Sequence, residues 1–188
     1  MNKVDVLVVG AGVAGATAAL ELSRRSVSVM LLDRATFPRH KVCGCCLNSD
    51  AVGALCDMGL ESKLIEAGAR PIDRVTAACQ GRSVSLPSRG GLSVSRYALD
   101  AVLIDAAKQA GCVFRDETNA RINKVPDGDQ PVRVDCTVAG SSETSTIEAG
   151  AVLVADGLAG SCMAGINVVK RVTHPESLRG YGAHMGSA

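Results

Sequence analysis

Aromatic residues are nearly missing from this chain of 188 residues, which has two Phe, two Tyr and no Trp. So few rings exclude a stacking platform for single-stranded nucleic acid. They also leave the core to Ala, Val and Leu. An excess of charge is lacking too: 20 Lys and Arg against 19 Asp and Glu give a net charge of +1. That balance removes any whole-protein electrostatic case for nucleic acid. No stretch suits a transmembrane span, because the apolar run 6–20 is too short, is broken by glycine, and follows Asp5 where an export signal would be basic.

Hydrophobic residues make up 47% of the chain, which excludes disorder. The length allows one domain, or one domain and the start of another. Cysteine is plentiful, at positions 43, 45, 46, 56, 79, 112, 136 and 162. These residues fall within expected strands and helices and beside no export signal, so a reduced, cytoplasmic compartment is expected rather than a disulfide framework.

The apolar opening is explained by its period. Val4–Val9 (VDVLVV) is a β-branched run suited to a strand buried in a parallel sheet, and it stops at glycine. Val13–Arg25 is rich in Ala and Leu and predicts a helix, and Ser28–Leu32 predicts a second strand. Together they make one right-handed βαβ unit. The turn inside it, GAGVAG, sets Gly10, Gly12 and Gly15 at GxGxxG spacing, with Ala14 in the first helical turn. The first glycine allows the tight turn, the second lets a pyrophosphate approach the backbone, and the third lets helix and strand pack. The free N–H groups of the helix start then face the anion.

Asp33 ends the second strand, eighteen residues beyond Gly15. A carboxylate there accepts hydrogen bonds from a ribose diol and repels a 2′-phosphate, which favours NAD or FAD over NADP as the resident dinucleotide. Arg34 beside it reads as a surface charge.

A long loop follows, RATFPRHKVCGCCLN, carrying Arg39, His40 and Lys41, before a helix that begins near Ser49. An ordinary NAD domain has no reason for such a loop. With GAGVAG, Asp33, FPRHKVCG, SRYALD and VADG together, the chain resembles the FAD-dependent oxidoreductases of the geranylgeranyl reductase type. Their wider relatives are the para-hydroxybenzoate hydroxylase-like monooxygenases and the flavin-dependent halogenases.

The resemblance implies that Cys43, Gly44 and Cys46 run along the flavin by backbone contact, with Arg34 and Arg39 among the cofactor-binding residues. Cys46 stands where the family more often has glycine. Arg96 would hold the diphosphate with its guanidinium fork. Ala120 would hold the adenine through backbone groups, and Asp156 and Gly157 would be the family's DG motif beside the cofactor. The implied fold is α/β, a Rossmann-like FAD-binding domain with a parallel sheet and an antiparallel β-meander, plus the start of a second domain. Residues 1–165 would form the FAD-binding domain, with 71–95 an excursion toward the substrate domain. Residues 166–188 would begin a truncated substrate domain. Because the family's second Gly-Asp motif is missing, the chain is expected to be a fragment or a truncated gene product.

The remaining pattern fits this scheme. Arg74–Cys79 and Ser83–Leu86, around Gln80 and Gly81, predict a hairpin, and Ala98–Ala110 predicts an amphipathic helix ending at Gly111. Val113–Arg115 predicts a short strand. The alternation over Ala120–Val125, Val132–Ala139 and Glu143–Ile147 predicts a meander, and Ala151–Ala155 a further strand.

Cys43 and Cys46 have CxxC spacing, but no second pair completes a zinc site, so no metal is expected. A redox-active dithiol activated by Arg39 and Lys41 is a second alternative, and small residues packed near a cofactor a third. The other five cysteines, at 56, 79, 112, 136 and 162, are expected to be buried. His40, His174 and His184 read as loop residues. No catalytic acid or base is legible.

The implied activity is a FAD-dependent oxidoreductase, with NAD(P)H as electron donor and a small, hydrophobic organic substrate that is hydroxylated or reduced at a double bond. Its rivals are an NAD-dependent dehydrogenase and a non-catalytic nucleotide-binding remnant. Peripheral membrane association through a further portion of the protein stays open.

Overall fold

A computed structural model describes residues 3–43, 45–158, 160–164, 166 and 176. Gly44, most of the expected second-domain segment 166–188, and His174 and His184 lie outside the described residues.

The elements in chain order are β1 (Lys3–Val9), α1 (Val13–Ser23), β2 (Val29–Leu32), β3 (Cys46–Leu47), α2 (Ser49–Asp57), α3 (Glu61–Glu66), β4 (Arg70–Cys79) and β5 (Arg82–Ser93). They continue with α4 (Arg96–Gln109), β6 (Val113–Arg115), β7 (Thr118–Ile122), β8 (Val132–Val138), β9 (Thr144–Val154) and a 3-10 turn at Ser161–Met163. The fold is α/β, with one mixed sheet carrying a parallel half and an antiparallel meander, and a separate antiparallel sheet. The described residues divide into two compact units, one holding those up to Arg39 and those from Leu103 to Glu176, the other His40–Val102.

The first unit is built on a six-stranded sheet in the order β6-β2-β1-β9-β8-β7. β6, β2, β1 and β9 run parallel, and β9, β8 and β7 form the antiparallel meander. All four residues of β2 are buried, as are Leu7 and Val8 of β1. Strands covered on both faces have no use for polar residues, which is why they read as unbroken apolar runs. Val4, Leu7, Met30, Ile122, Val134 and Ile147 share one core cluster that joins the parallel half to the meander.

One expectation is corrected. The runs around 143–147 and 151–155 are not two strands but the single strand β9. Its first half pairs antiparallel with β8 and its second half parallel with β1, and the two pairings overlap at Glu148 and Ala149. Ala149-Gly150 resembles a turn in sequence. Gly150 instead marks close approach, since a Cβ there would stand 3.0 Å from the Asp5 carbonyl oxygen.

The second unit holds the sheet β3-β5-β4 with α2, α3 and the start of α4. Asn48 caps α2, its side-chain oxygen accepting the Ala51 N–H at 2.9 Å. Leu55, Leu60, Leu64 and Ala69 are buried around the two short helices. The hairpin forms where Gln80 and Gly81 predict it, both with positive φ (49° and 76°), but its strands run longer than the alternation shows. Of the five cysteines expected to be buried, Cys112, Cys136 and Cys162 are; Cys79, at the hairpin tip, is exposed and Cys56 is half-buried.

Candidate nucleotide-binding site

In the first unit, three turns meet at the carboxyl ends of β1, β2 and β9. The Gly10 N–H donates to the Leu32 carbonyl at 2.7 Å, and the Ala155 N–H donates to the Val9 carbonyl at 2.7 Å. Gly10 has φ +104°, and a Cβ on it would lie 2.3 Å from the Ala155 carbonyl oxygen. Only glycine meets both demands. A Cβ on Gly15 would lie 1.8 Å from the Gly10 carbonyl oxygen, so the third glycine brings α1 directly onto the turn.

β1 has β2 on one side and β9 on the other, so the connections leave this point in opposite directions. That is the topological switch point at which open α/β sheets bind ligands. Gly12 is the N-cap of α1 in extended geometry, with no side-chain cap. The first intrahelical bond runs from Ala16 N–H to the Gly12 carbonyl at 2.9 Å. The N–H groups of the first turn are thus left for an anion. Gly10 and Gly15 are buried, Gly12 is half-buried, and Ala14 is exposed.

Asp33 is buried at this same edge. Its Oδ2 accepts the Ala11 N–H at 2.7 Å and its Oδ1 accepts the Ala35 N–H at 2.9 Å. A carboxylate has about four acceptor positions, so each oxygen keeps one for a hydroxyl. Arg39 Nη2 stands 3.8 Å from Oδ2, too far for a hydrogen bond, while its guanidinium lies over the Phe37 ring at 4.9 Å. Phe37 meets Phe114 edge-on. The Arg39 Nε is buried without a hydrogen-bond partner, a donor left over beside an acceptor with room. Arg34 is exposed.

Asp156 lies two residues beyond the end of β9. Its Oδ2 accepts the Cys162 N–H at 2.9 Å and the Ser161 hydroxyl at 3.3 Å, so it caps the 3-10 turn. Gly157 is exposed with φ +81°. Burial pushes the Cys162 thiol up to about 12, with the Asp156 carboxylate adding to the shift. Ala120 is buried in β7; two residues earlier, the Thr118 N–H donates to the Asp33 carbonyl at 2.8 Å, which ties that strand to the end of β2.

The second unit carries the rest of the expected residues. Cys43 and Cys46 are exposed, and Cys45 between them is half-buried with φ +55°, its carbonyl accepting the Val94 N–H. Cys46 opens β3 opposite Ser93. Arg96, first residue of α4, forms a bidentate pair with Asp100: Nε to Oδ1 at 2.8 Å and Nη2 to Oδ2 at 2.9 Å. Asp100 is fully buried. That pair, with the Cys43 sulfur adding a smaller interaction, holds the Arg96 guanidinium above its ordinary pKa. The His40 and Tyr97 rings lie against each other at 4.9 Å. Among the described residues no three His, Cys, Asp or Glu side chains gather as metal ligands.

Sequence reasoning missed Asp100 and Ala11. Asp100 was findable, since Arg-x-x-x-Asp puts a cation and an anion one helical turn apart. Ala11 was not, because it contributes only its backbone. The residues present fit a dinucleotide: an uncapped helix start, a buried carboxylate with spare acceptor positions, and an orphaned guanidinium nitrogen beside it.

The family model for the FAD binding domain matches residues 3–178. The chain belongs to the FAD binding domain family. The domain is 48% identical over 59 residues to a menaquinone reductase of Mycobacterium tuberculosis, 31% of this chain and 14% of that protein. It is 30% identical over 182 residues to the protein FixC of Shigella flexneri, 89% of this chain and 40% of that protein. The flavin-dependent monooxygenase PieE, solved with FAD and substrate, superposes with a TM-score of 0.70 at 22% identity, over 82% of this chain and 30% of that one. The FAD-binding domain thus spans less than half the length of each of these relatives. No described helix is long and apolar enough to cross a membrane.

Proposed function

We propose that the protein is a flavin-dependent oxidoreductase that takes electrons from NAD(P)H and delivers them to a hydrophobic organic substrate, by hydroxylation or by reduction of a double bond. The observation that carries this reading is the Asp33–Ala11 hydrogen bond. It holds a buried carboxylate against the glycine turn, where an adenosine ribose and a diphosphate need an acceptor and a set of N–H donors side by side.

In this reading the Gly10–Gly15 turn and the start of α1 bind the diphosphate, and the spare acceptor positions of Asp33 take the ribose hydroxyls. Arg39 supplies its unpartnered Nε–H beside them, with Arg34 at the rim. Asp156 and Gly157 close the edge next to Gly10, and Ala120 lies two residues beyond the contact between β7 and Asp33. Arg96 offers a fork to phosphate oxygens, and the Cys43–Cys46 segment, including Gly44, runs along the ring system by backbone contact. A bound flavin supplies hydride acceptance and transfer, and the protein's part is to hold, orient and desolvate it.

Likeness to a menaquinone reductase supports reduction of an apolar, isoprenoid-type substrate, and likeness to the monooxygenase PieE supports hydroxylation. A reducing, cytoplasmic setting is part of this reading. Peripheral attachment to a membrane surface would suit a hydrophobic substrate.

The test is to purify the protein with added FAD, record the visible flavin absorption, and add NADPH without air. Bleaching, followed by peroxide on admitting oxygen, is the expected result. A colourless protein that instead binds NAD would replace this reading by the dehydrogenase one. Substrate-coupled oxygen uptake then separates hydroxylation from double-bond reduction.

A further inference from the structure

We propose that Asp100 is the positioning residue for Arg96, aiming the guanidinium as a preformed fork for a phosphate group; this rests on the flavin reading above. Arg96 spends its Nε–H and one Nη2–H on the Asp100 carboxylate at 2.8 and 2.9 Å. A guanidinium has five N–H donors in one plane. Three therefore remain, both on Nη1 and one on Nη2, along the opposite edge of the plane. Two parallel donors on that edge match two oxygens of one phosphate.

Asp100 is fully buried while the Arg96 side chain keeps 15% of its exposure, so the pair has an inner member and an outer member. A fully buried carboxylate needs a paired cation and hydrogen bonds, and Arg96 supplies both. Loose, an arginine side chain loses much rotamer freedom on gripping a ligand. Clamped by Asp100, that freedom is already gone before the ligand arrives.

The experiment titrates FAD by quenching of flavin fluorescence, with inorganic pyrophosphate as competitor, and records thermal melts in parallel. The proteins are wild type, Asp100→Asn, Arg96→Met, the double variant and Arg96→Lys. Asp100→Asn is expected to bind FAD roughly ten-fold more weakly. In the Arg96→Met background the same change is expected to cost nothing further, because Asp100 acts through Arg96. Arg96→Lys keeps the charge and a partner for Asp100 but lacks the fork, so it is expected to lose roughly ten-fold in affinity with little change in melting.

Wild-type affinity in Asp100→Asn, or a full loss that persists in the Arg96→Met background, overturns the proposal. Should Asp100→Asn not fold, Arg96→Lys decides, and wild-type affinity there overturns it. A wild-type chain that takes up no FAD defeats the flavin reading and this proposal together, whereas the variant failures defeat this proposal alone.

Discussion

The Ala11 N–H donates to the Asp33 carboxylate at 2.7 Å across 22 residues of sequence. One bond therefore closes the βαβ unit at the edge where the glycine turn lies. It makes the end of β2 part of the wall of the turn after β1.

Asp33→Asn replaces an accepting oxygen by an amide that cannot satisfy both Ala11 and Ala35. Hydrogen bonds to charged acceptors contribute about 1.5–3 kcal/mol, so FAD affinity is expected to fall by roughly ten-fold or more. Fluorescence titration checks it. Unchanged affinity would remove Asp33 from the site.

Gly15→Ala drives a methyl into the Gly10 carbonyl oxygen, 1.8 Å away. The backbone on both sides must move, and a loss of about 3 kcal/mol or more is expected in urea unfolding. Gly53, inside α2, has no atom within 4 Å of its notional Cβ. Gly53→Ala is expected to stabilise by about 1 kcal/mol, because alanine is the better helix former. Equal effects at the two positions would contradict the packing described.

Alkaline pH is expected to weaken the fold through the buried thiols. Burial raises Cys112 and Cys136 from 9.0 to about 11 and Cys162 to about 12. Below the unfolded value both states keep the proton and the stability is fully present. Above it the unfolded chain releases protons that the native state retains, so stability falls from about pH 9 upward through the folded values. Melts across this range should show the decline, and Cys136→Ala should make it shallower. Parallel slopes for wild type and variant would refute the assignment.

The hairpin turn offers a local test. Gln80 and Gly81 both occupy positive φ, a geometry that asparagine tolerates better than glutamine. Gln80→Asn is expected to raise stability by roughly 0.5 kcal/mol, and Gly81→Ala to lower it by about 1 kcal/mol. Chemical denaturation measures both.

Much of this architecture was legible along the chain. The opening strand, the glycine turn and α1 follow from apolar period and from spacings of two and three residues, and the second strand ends at Asp33 as the pattern requires. Gln80-Gly81 marked its hairpin and Gly111 the end of α4, whose φ is +101°. Strand β9 was not legible as one element, because its halves face different partners and Gly150 looks like punctuation. Burial at Cys79 was misjudged for a related reason: alternation says which residues share a face, not whether anything covers it.

By itself the sequence determined what neighbours in the chain can do: a strand that must be buried, a turn only glycine can make, a helix that starts without a cap, and an acid at the distance a βαβ unit returns it. Only the tertiary structure decided which distant groups share the acid, that Arg39 stands beside it with a donor unspent, and that Asp156 turns inward to cap Ser161–Met163. The physical reason is that hydrogen-bond capacity is carried by each residue, whereas the choice of partner depends on which strand ends the sheet order brings together. That order is set by packing between segments more than a hundred residues apart, as β1 and β9 are.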